Sequence, residues 1–165
     1  MTNVASQSLS MRLASQADVP LILQFIRELA EYERAPAAAV ATRELLLRHG
    51  FGPEAKFRVL LAFWQEQPAG FALFFHNFST WLGRPGIFLE DLFVRPEHRC
   101  HGVGNAIMRE LARIALREEC YGIRWQVLDW NQLAIGFYEG LGAERQPDWV
   151  SCRIMGDALR KLADE

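Results

Sequence analysis

Apolar residues recur every three to four positions in two long stretches of the chain, which is the period of an amphipathic helix. The first stretch predicts a helix from about Ala17 to Arg34, with Ser15 as its N-cap. The second stretch predicts a helix from Gly102 to about Glu119. Shorter helices are predicted over residues 39–49 and 131–141, each followed by glycine, and over the last dozen residues.

Runs rich in Val, Leu and Phe predict strands between these helices. The predicted strands cover residues 11–14, 57–64, 69–77, 87–94, 122–128 and 149–154. The second to fourth strands form an antiparallel meander, and the helix from Gly102 then crosses over between two parallel neighbours. We therefore predict an α/β fold with a mixed (α+β) sheet. Helices on both faces make it a three-layer αβα fold, with the antiparallel meander followed by a β-α-β unit.

The composition fits one domain, because half of the 165 residues are hydrophobic. We predict a loose N-terminal tail over residues 1–10 and a single domain over residues 11–165. The formal net charge of −2 argues against a nucleic-acid-binding surface. No run approaches the roughly 18 apolar residues of a membrane span, and the polar first residues do not resemble a signal peptide. These features predict a cytoplasmic protein without membrane or nucleic-acid partners.

The three cysteines predict neither a disulfide framework nor a zinc site. Cys100, Cys120 and Cys152 are odd in number and lack C-x-x-C spacing. His98 and His101 also lack a metal-ligand partner at useful spacing. The sequence therefore predicts no metal and a reducing compartment.

The most informative segment runs from Ile87 to Asn105, where an apolar strand interrupted by Glu90 and Asp91 leads into a glycine-containing loop. The loop has the pattern Arg-x-x-Gly-x-Gly and ends where a helix begins. N–H groups at a helix start lack helical partners and the helix dipole is positive there, so the loop predicts a site for an anion such as a phosphate-bearing cofactor. A dinucleotide fingerprint would need a further glycine in place of Ile107, and a P-loop would need Gly-Lys-Ser/Thr.

Two motifs in this chain resemble the signatures of a known superfamily. Residues 99–104, Arg-Cys-His-Gly-Val-Gly, resemble motif A of the GNAT N-acetyltransferases, usually Arg/Gln-x-x-Gly-x-Gly/Ala. Residues 131–143, Asn-Gln-Leu-Ala-Ile-Gly-Phe-Tyr-Glu-Gly-Leu-Gly-Ala, resemble the second signature, Asn-x-x-Ala-x-x-x-Tyr-x-x-x-Gly-Ala/Phe. Further segments resemble the spermidine/spermine (diamine) acetyltransferases and their thialysine-acetylating relatives: Leu29–Glu33, Gly50–Gly52, Trp81–Gly83, Leu89–Val94 and Trp130–Asn131.

This resemblance, which extends from about Met11 to Glu165, implies acetyl-coenzyme A as co-substrate, a small amine as acceptor and a homodimer. The residues implied to bind acetyl-coenzyme A are Leu92, Phe93, Val94, Arg99, Cys100, His101, Gly102, Val103, Gly104, Asn105, Asn131, Ala134 and Tyr138. The residues implied to bind the acceptor are Tyr32, Glu33, Trp81, Glu90, Asp91 and Trp125.

Two positions depart from the family pattern. Cys100 stands where glycine is usual, and we expect the loop to tolerate it if its φ is negative. Ser79 stands where the diamine enzymes have aspartate, so one partner for an ammonium group is missing. This loss favours a shorter diamine, thialysine or another amino-bearing metabolite over long polyamines.

Acetyl transfer needs a base, because a primary amine with a pKa near 10.4 is mostly protonated at pH 7. Glu90 is the predicted base, since an otherwise apolar strand would remove water from its carboxylate. A relay through water stays open, and so does simple pairing of Glu90 and Asp91 with Arg95 or Arg124. Alternation along the strand places the two acids on opposite faces.

The resemblance implies that Tyr138 is the general acid that protonates the departing sulfur, with a core tyrosine beside Phe137 as the alternative. It implies a backbone N–H near Phe93 or Val94 as the oxyanion donor. Asn131 would bond the pantetheine amide, and an ordinary helix N-cap is its alternative role.

The leading hypothesis is an N-acetyltransferase of small amines that uses direct attack in a ternary complex. An acyl-enzyme is disfavoured because Cys100, the lone candidate nucleophile, lacks a positioned base. Two alternatives stay open: a non-catalytic acyl-coenzyme A-binding regulatory protein, and a protein or peptide N-acetyltransferase.

Overall fold

Five strands and five α-helices form the regular structure of residues 8–164, the part of the chain that the computed structural model describes. The strands are β1 (Leu9–Leu13), β2 (Arg58–Trp64), β3 (Gln67–Ser79), β4 (Arg84–Val94) and β5 (Ile123–Trp125). The helices are α1 (Val19–Tyr32), α2 (Arg43–Gly50), α3 (Val103–Arg117), α4 (Gln132–Gly140) and α5 (Gly156–Asp164). Of the predicted N-terminal tail, residues 1–7 lie outside the described residues. Leu9 and Ser10 belong to β1, so the prediction of a loose tail is wrong for them.

The strands form one sheet in the order β1-β2-β3-β4-β5. Neighbouring strands from β1 to β4 are antiparallel, and β5 is parallel to β4 after the crossover through α3. The β2–β3 hairpin turns at Gln65 and Glu66, whose φ values of 47° and 65° give a turn that matches the twist of the strands. The predicted antiparallel meander and parallel pair are confirmed.

Helices cover both faces of this sheet. α1 and α2 pack on one face, where the ring of Phe25 stacks on Phe71 of β3 with centroids 5.2 Å apart. α3 contacts β2, β3 and β4 from the other side and buries Ile107 and Leu111. The three-layer α/β arrangement predicted from the apolar periodicities is confirmed in this part of the chain.

The first two helices begin later than the sequence predicts, because local hydrogen bonds determine their starts. Gln16–Asp18 form a 3₁₀ turn before α1, and the Asp18 carboxylate accepts bonds from the N–H and hydroxyl of Ser15 at 2.8 and 3.0 Å. The hydroxyl of Thr42 accepts a bond from the N–H of Leu45 at 3.3 Å, so α2 begins just after Thr42.

The last predicted strand, residues 149–154, has no regular structure, and this prediction is wrong. Trp149 and Val150 are exposed. A strand needs a hydrogen-bonding partner along its length, and no strand within residues 8–164 pairs with this segment. An alternating apolar pattern alone therefore does not produce a strand. β5 is also shorter than the predicted 122–128.

Contacts divide the chain into two units, one ending at Gln126 and one beginning at Val127. The first unit contains the whole sheet and α1 to α3, and the second contains α4 and α5. The single domain over residues 11–165 stays a prediction. No helix within the described part of the chain has both the length and the apolar character needed to cross a membrane.

Candidate active site

β4 contains a bulge at Glu90. Leu89 pairs with Phe74 and Asp91 pairs with Leu73, so Glu90 is an extra residue in the register with β3. An extra residue interrupts the alternation of side chains along a strand. The prediction that Glu90 and Asp91 point to opposite faces rested on that alternation, so the register does not support it and it stays a prediction. The register instead places Asp91 with Leu73 on the face of the sheet that α1 covers.

Three carboxylates, those of Glu33, Glu90 and Asp91, form an acidic cluster at this bulge. Burial raises the pKa of the Asp91 carboxyl from 3.8 to about 7, and the negative charges of Glu90 and then of Glu33 add to the effect. Partial loss of water also raises the pKa of the Glu33 carboxyl, which directly follows α1. Glu90 itself is exposed, so the desolvated carboxylate of this strand is Asp91 and not Glu90 as predicted.

Beside the acidic cluster, one edge of β4 loses its partner strand. Pairing with β5 covers only Ile87–Leu89 and ends with Trp125 opposite Leu89. From Glu90 to Val94 no strand pairs with this edge within residues 8–164, although β3 continues on the other side. Backbone N–H and C=O groups on such an edge are available to an extended ligand. The segment includes Leu92, Phe93 and Val94, which the resemblance assigns to acetyl-coenzyme A.

The loop after β4 leads directly into α3. Gly102 is left-handed with a φ of 76°, and a Cβ atom placed there would meet nothing within 4 Å. The N–H of Ala106 bonds to the carbonyl oxygen of Gly102 at 2.9 Å, so the N–H groups of residues 103–105 lie at the helix start without intrahelical partners. Together with the helix dipole, these groups suit a bound anion. The loop therefore has the geometry that its glycines predicted.

Cys100 in this loop has a φ of 62° and is exposed. The condition under which we expected the loop to tolerate this cysteine, a negative φ, is therefore not met. A left-handed backbone costs a residue with a Cβ atom about 1–2 kcal/mol, whereas glycine adopts it freely. This explains why the family pattern has glycine here, and Cys100 adds strain to the loop.

Arg99 joins the loop to the end of α1. Its Nε donates a hydrogen bond to the carbonyl oxygen of Val94 at 2.9 Å, and its guanidinium carbon lies 4.8 Å from the centre of the Tyr32 ring. Tyr32 is the last residue of α1 and directly precedes Glu33. Arg99 therefore connects the helix-start loop with the acidic cluster. Sequence reasoning missed this contact because the two residues lie far apart in the chain.

Arg95 does not neutralise the acidic cluster. It forms two hydrogen bonds to the carboxylate of Glu28, at 2.9 and 2.8 Å, and a third to the carbonyl oxygen of Pro68 at 3.0 Å. These bonds fix the end of β4 against α1. The open alternative in which Arg95 pairs with Glu90 or Asp91 is therefore wrong.

Trp81 lies away from the acidic cluster. It is 92% exposed in the turn between β3 and β4. The pair Ser79–Arg84 beside this turn lies six positions along β3 from the pair Leu73–Asp91, which corresponds to about 20 Å of strand. Tyr32 and Glu33 lie near Asp91, but within a single chain Trp81 does not lie near these residues.

The remaining predicted residues lie in the second unit. Asn131 is buried, and its side-chain oxygen accepts a hydrogen bond from the N–H of Ala134 at 3.2 Å. It therefore caps α4, which is one of the two roles predicted for it. Its hydrogen bond to the pantetheine amide stays a prediction. Tyr138 is half-buried on α4 beside Phe137, with ring centroids 5.2 Å apart. Its role as general acid also stays a prediction.

Comparison with known proteins identifies the family. Residues 22–143 match the Acetyltransferase (GNAT) family, so the chain belongs to that family and is an acetyltransferase. Its fold agrees with this: the integron cassette protein VCH_CASS6, from the mobile metagenome of V. cholerae, superposes with a TM-score of 0.81 at 24% identity. That superposition covers 97% of this chain and 100% of the other.

Two individual relatives indicate which kind of acetyltransferase this chain is similar to. The chain is 38% identical to the thialysine N-epsilon-acetyltransferase of Sus scrofa, over 94% of this chain and 98% of that protein. It is 39% identical to the L-ornithine N5-acetyltransferase NATA1 of Arabidopsis thaliana, over 57% of this chain and 41% of that protein. The resemblance to the diamine and thialysine acetyltransferases, first seen in the motifs, is thereby confirmed.

Proposed function

We propose that this acetyltransferase moves the acetyl group of acetyl-coenzyme A to a primary amine of a small cationic acceptor, by direct attack in a ternary complex. The observation that carries the proposal is the acidic cluster of Glu33, Glu90 and Asp91 beside the unpaired edge of β4. Carboxylates attract an ammonium group, and one whose pKa is about 7 can also accept a proton near neutral pH. One cluster thus holds the acceptor and prepares it for attack.

The residues present fit acetyl-coenzyme A as the second substrate. The β4 edge at residues 92–94 offers backbone groups to the pantetheine amides, and the N–H groups of residues 103–105 suit the diphosphate. A Cβ atom placed at Gly102 would meet nothing within 4 Å, so the loop is open at that point. The bound thioester supplies the acetyl group, and the chain supplies orientation and proton transfer.

In this proposal, Glu90 and Asp91 together accept the proton of the acceptor's ammonium group. Asp91 suits this role, because burial raises its pKa to about 7 and a base works best near the working pH. Glu90 is exposed and can meet the ammonium group first. Tyr138 is proposed as the acid that protonates the leaving thiolate.

The proposed acceptor is an amino acid or short diamine that carries a terminal primary amine. Relatives named for thialysine and for L-ornithine support this class. Three carboxylates provide more negative charge than a single ammonium group requires, which favours an acceptor with a second cationic centre.

The test is a panel of amines incubated with acetyl-coenzyme A while free thiol is measured. We expect release with thialysine, ornithine or a short diamine, and Tyr138→Phe should lower turnover about 100-fold with little change in affinity for coenzyme A. Tyr121→Phe is the matched control, because its hydroxyl bonds to the side chain of Asn77, at 3.2 Å, away from the acidic cluster.

Each failure has a distinct meaning. Coenzyme A binding without thiol release by any amine would favour the non-catalytic regulator. Acetylation of proteins, detected by intact mass, without turnover of small amines would favour the protein acetyltransferase. Equal turnover in Tyr138→Phe and Tyr121→Phe would reject the role of Tyr138.

We also propose that the protein is a homodimer. Phe78, Trp81 and Leu82 near the β3–β4 turn are 63%, 92% and 60% exposed, which is a large apolar group for a solvated hairpin. Association of two chains would cover it. Sedimentation of the wild type and of Trp81→Ala tests this, and a monomeric wild type would overturn it.

A further inference from the structure

A second group of reactive side chains lies at the C-terminal end of α3, the opposite end of that helix from the anion-binding loop. His76 on β3, Glu118 and Cys120 each offer one ligand atom, and these three atoms lie within 4.8 Å of one another. The Nε2 atom of His76 is 2.7 Å from Oε2 of Glu118. None of these residues takes part in the proposed acetyl transfer.

The backbone fixes two of the three side chains through the end of α3. The N–H of Cys120 bonds to the carbonyl oxygen of Ala115 at 2.8 Å, and the N–H of Glu119 bonds to that of Leu116 at 3.2 Å. Glu119 has a φ of 55°, so the helix ends in a Schellman motif. This motif holds Glu118 and Cys120 on either side of the left-handed residue, with their positions set by the helix.

The third side chain is brought to them by the sheet. His76 pairs with Ile87, and the N–H of Ile87 bonds to the carbonyl oxygen of Gly122 at 3.0 Å. The N–H of Tyr121 bonds to the carbonyl oxygen of Pro85 at 2.8 Å. The segment after α3 is therefore attached to β4 directly beside the strand position that carries His76.

We propose that His76, Glu118 and Cys120 form a binding site for a divalent metal ion of the zinc class. An imidazole nitrogen, a carboxylate oxygen and a thiolate are the three ligand types that zinc takes in proteins, and a water molecule completes a tetrahedron. Metal–ligand bonds of 2.0–2.3 Å place tetrahedral ligand atoms about 3.3–3.6 Å apart. Here Nε2 of His76 and Oε2 of Glu118 are 2.7 Å apart, and no two of the three ligand atoms are more than 4.8 Å apart. The spacing of a tetrahedral site lies between these two distances.

The surroundings of the site also suit a bound cation. Arg58 donates a hydrogen bond from Nη1 to Oε1 of Glu118 at 2.7 Å, which leaves Oε2 directed towards His76. An outer partner of this kind orients a ligating carboxylate. A thiolate and a carboxylate offset two of the three positive charges of Arg58 and a divalent metal, so the filled site would carry a net charge of about +1. The ion would join β3 to the end of α3.

Cobalt(II) titration of the full-length protein, after chelator treatment, tests the proposal. We expect one ion per chain, a thiolate-to-cobalt charge-transfer band in the near ultraviolet, and displacement of cobalt by zinc. Cys120→Ser should abolish the band, whereas Cys152→Ser, which removes an exposed thiol of the second unit, should retain it. His76→Gln and Glu118→Gln should each weaken binding by about tenfold or more.

Circular dichroism of each variant shows that it is folded. Should Cys120→Ser fail to fold, the two glutamine variants carry the test. Absence of the band in the wild type, or its persistence in Cys120→Ser, would overturn the proposal, as would unchanged affinity in both glutamine variants. Acetyl transfer is not measured, so the outcome is independent of the proposed function.

Discussion

Replacement of Asp91 by asparagine should change how the stability of this protein depends on pH. The folded state raises the pKa of this carboxyl from 3.8 to about 7, chiefly because the group is buried. The folded state therefore binds the proton more tightly than the unfolded state does. The stability that protonated Asp91 contributes is complete below pH 3.8 and is lost as the pH rises from 3.8 through about 7.

The magnitude follows from the two pKa values. One pKa unit corresponds to about 1.4 kcal/mol, so the full shift is worth about 4 kcal/mol. Most of this loss occurs between about pH 5 and pH 8, where it amounts to about 2–3 kcal/mol. Asparagine stays neutral at every pH. The free energy of unfolding of Asp91→Asn should therefore rise relative to the wild type by that amount over this interval.

Urea denaturation followed by tryptophan fluorescence, at several pH values between about 5 and 8, measures the difference. Asp148→Asn is the matched control, since Asp148 is exposed and lies in the second unit. It should follow the wild type throughout. Parallel stability profiles for the wild type and Asp91→Asn would refute the argument that burial raises the pKa of this group. Glu90→Gln should reproduce a smaller part of this change in stability, because the negative charge of Glu90 is the second cause of the raised pKa of Asp91.

Three further substitutions test other features of the structure. Cys100→Gly should raise the free energy of unfolding by about 1 kcal/mol and tighten coenzyme A binding, because glycine relieves the left-handed strain. Gly70→Ala should destabilise by about 1–3 kcal/mol, because its Cβ atom would lie 2.5 Å from the carbonyl oxygen of Phe93. Asp18→Asn should cost about 1–2 kcal/mol at pH 7, because Arg12 holds the pKa of Asp18 well below its usual range through two hydrogen bonds.

Thermal and urea unfolding measure all three, and each has its own contradicting result. Cys100→Ala keeps the Cβ atom, so a gain equal to that of Cys100→Gly would show that strain is not the cause. A Gly70→Ala variant as stable as the wild type would contradict the tight contact between β3 and β4. For Asp18→Asn the loss must shrink as the pH falls below 3.8, because Asp18 then takes up a proton in the unfolded wild type while the folded state keeps it charged to lower pH. A loss that is the same at every pH would contradict the ion-pair explanation.

The elements that the sequence predicted well are those whose own residues bury a face. Apolar residues recur at the helical period in α1 and α3. β2 and β3 flank a turn that is short enough to join the two strands of a hairpin. The glycine-containing loop before α3 was predictable for the same reason, since Gly102 and the start of α3 are local features. The segment at residues 149–154 failed because a strand depends on a partner that the segment itself does not carry.

The arrangement of the candidate site depended more heavily on the tertiary structure than the order of helices and strands did. The pattern around Glu90 indicated an acidic site, but the register with β3 decided that Glu90 is the bulged, exposed residue and that Asp91 is half-buried. The same register decided that Trp81 lies far from Asp91 in a single chain. Packing of α1 decided that Glu33 approaches the bulge and that Arg95 pairs with Glu28.

The sequence by itself determined the family, the order of most elements and the residue types available for acetyl transfer, because these follow from local periodicity and motifs. Tertiary structure decided which carboxylate loses its water, which conformation Cys100 adopts, and that His76 meets Glu118 and Cys120. The reason is physical. Burial, strain and ligand spacing depend on which distant segments pack together, and a pairing register or helix end sets those contacts to within one residue.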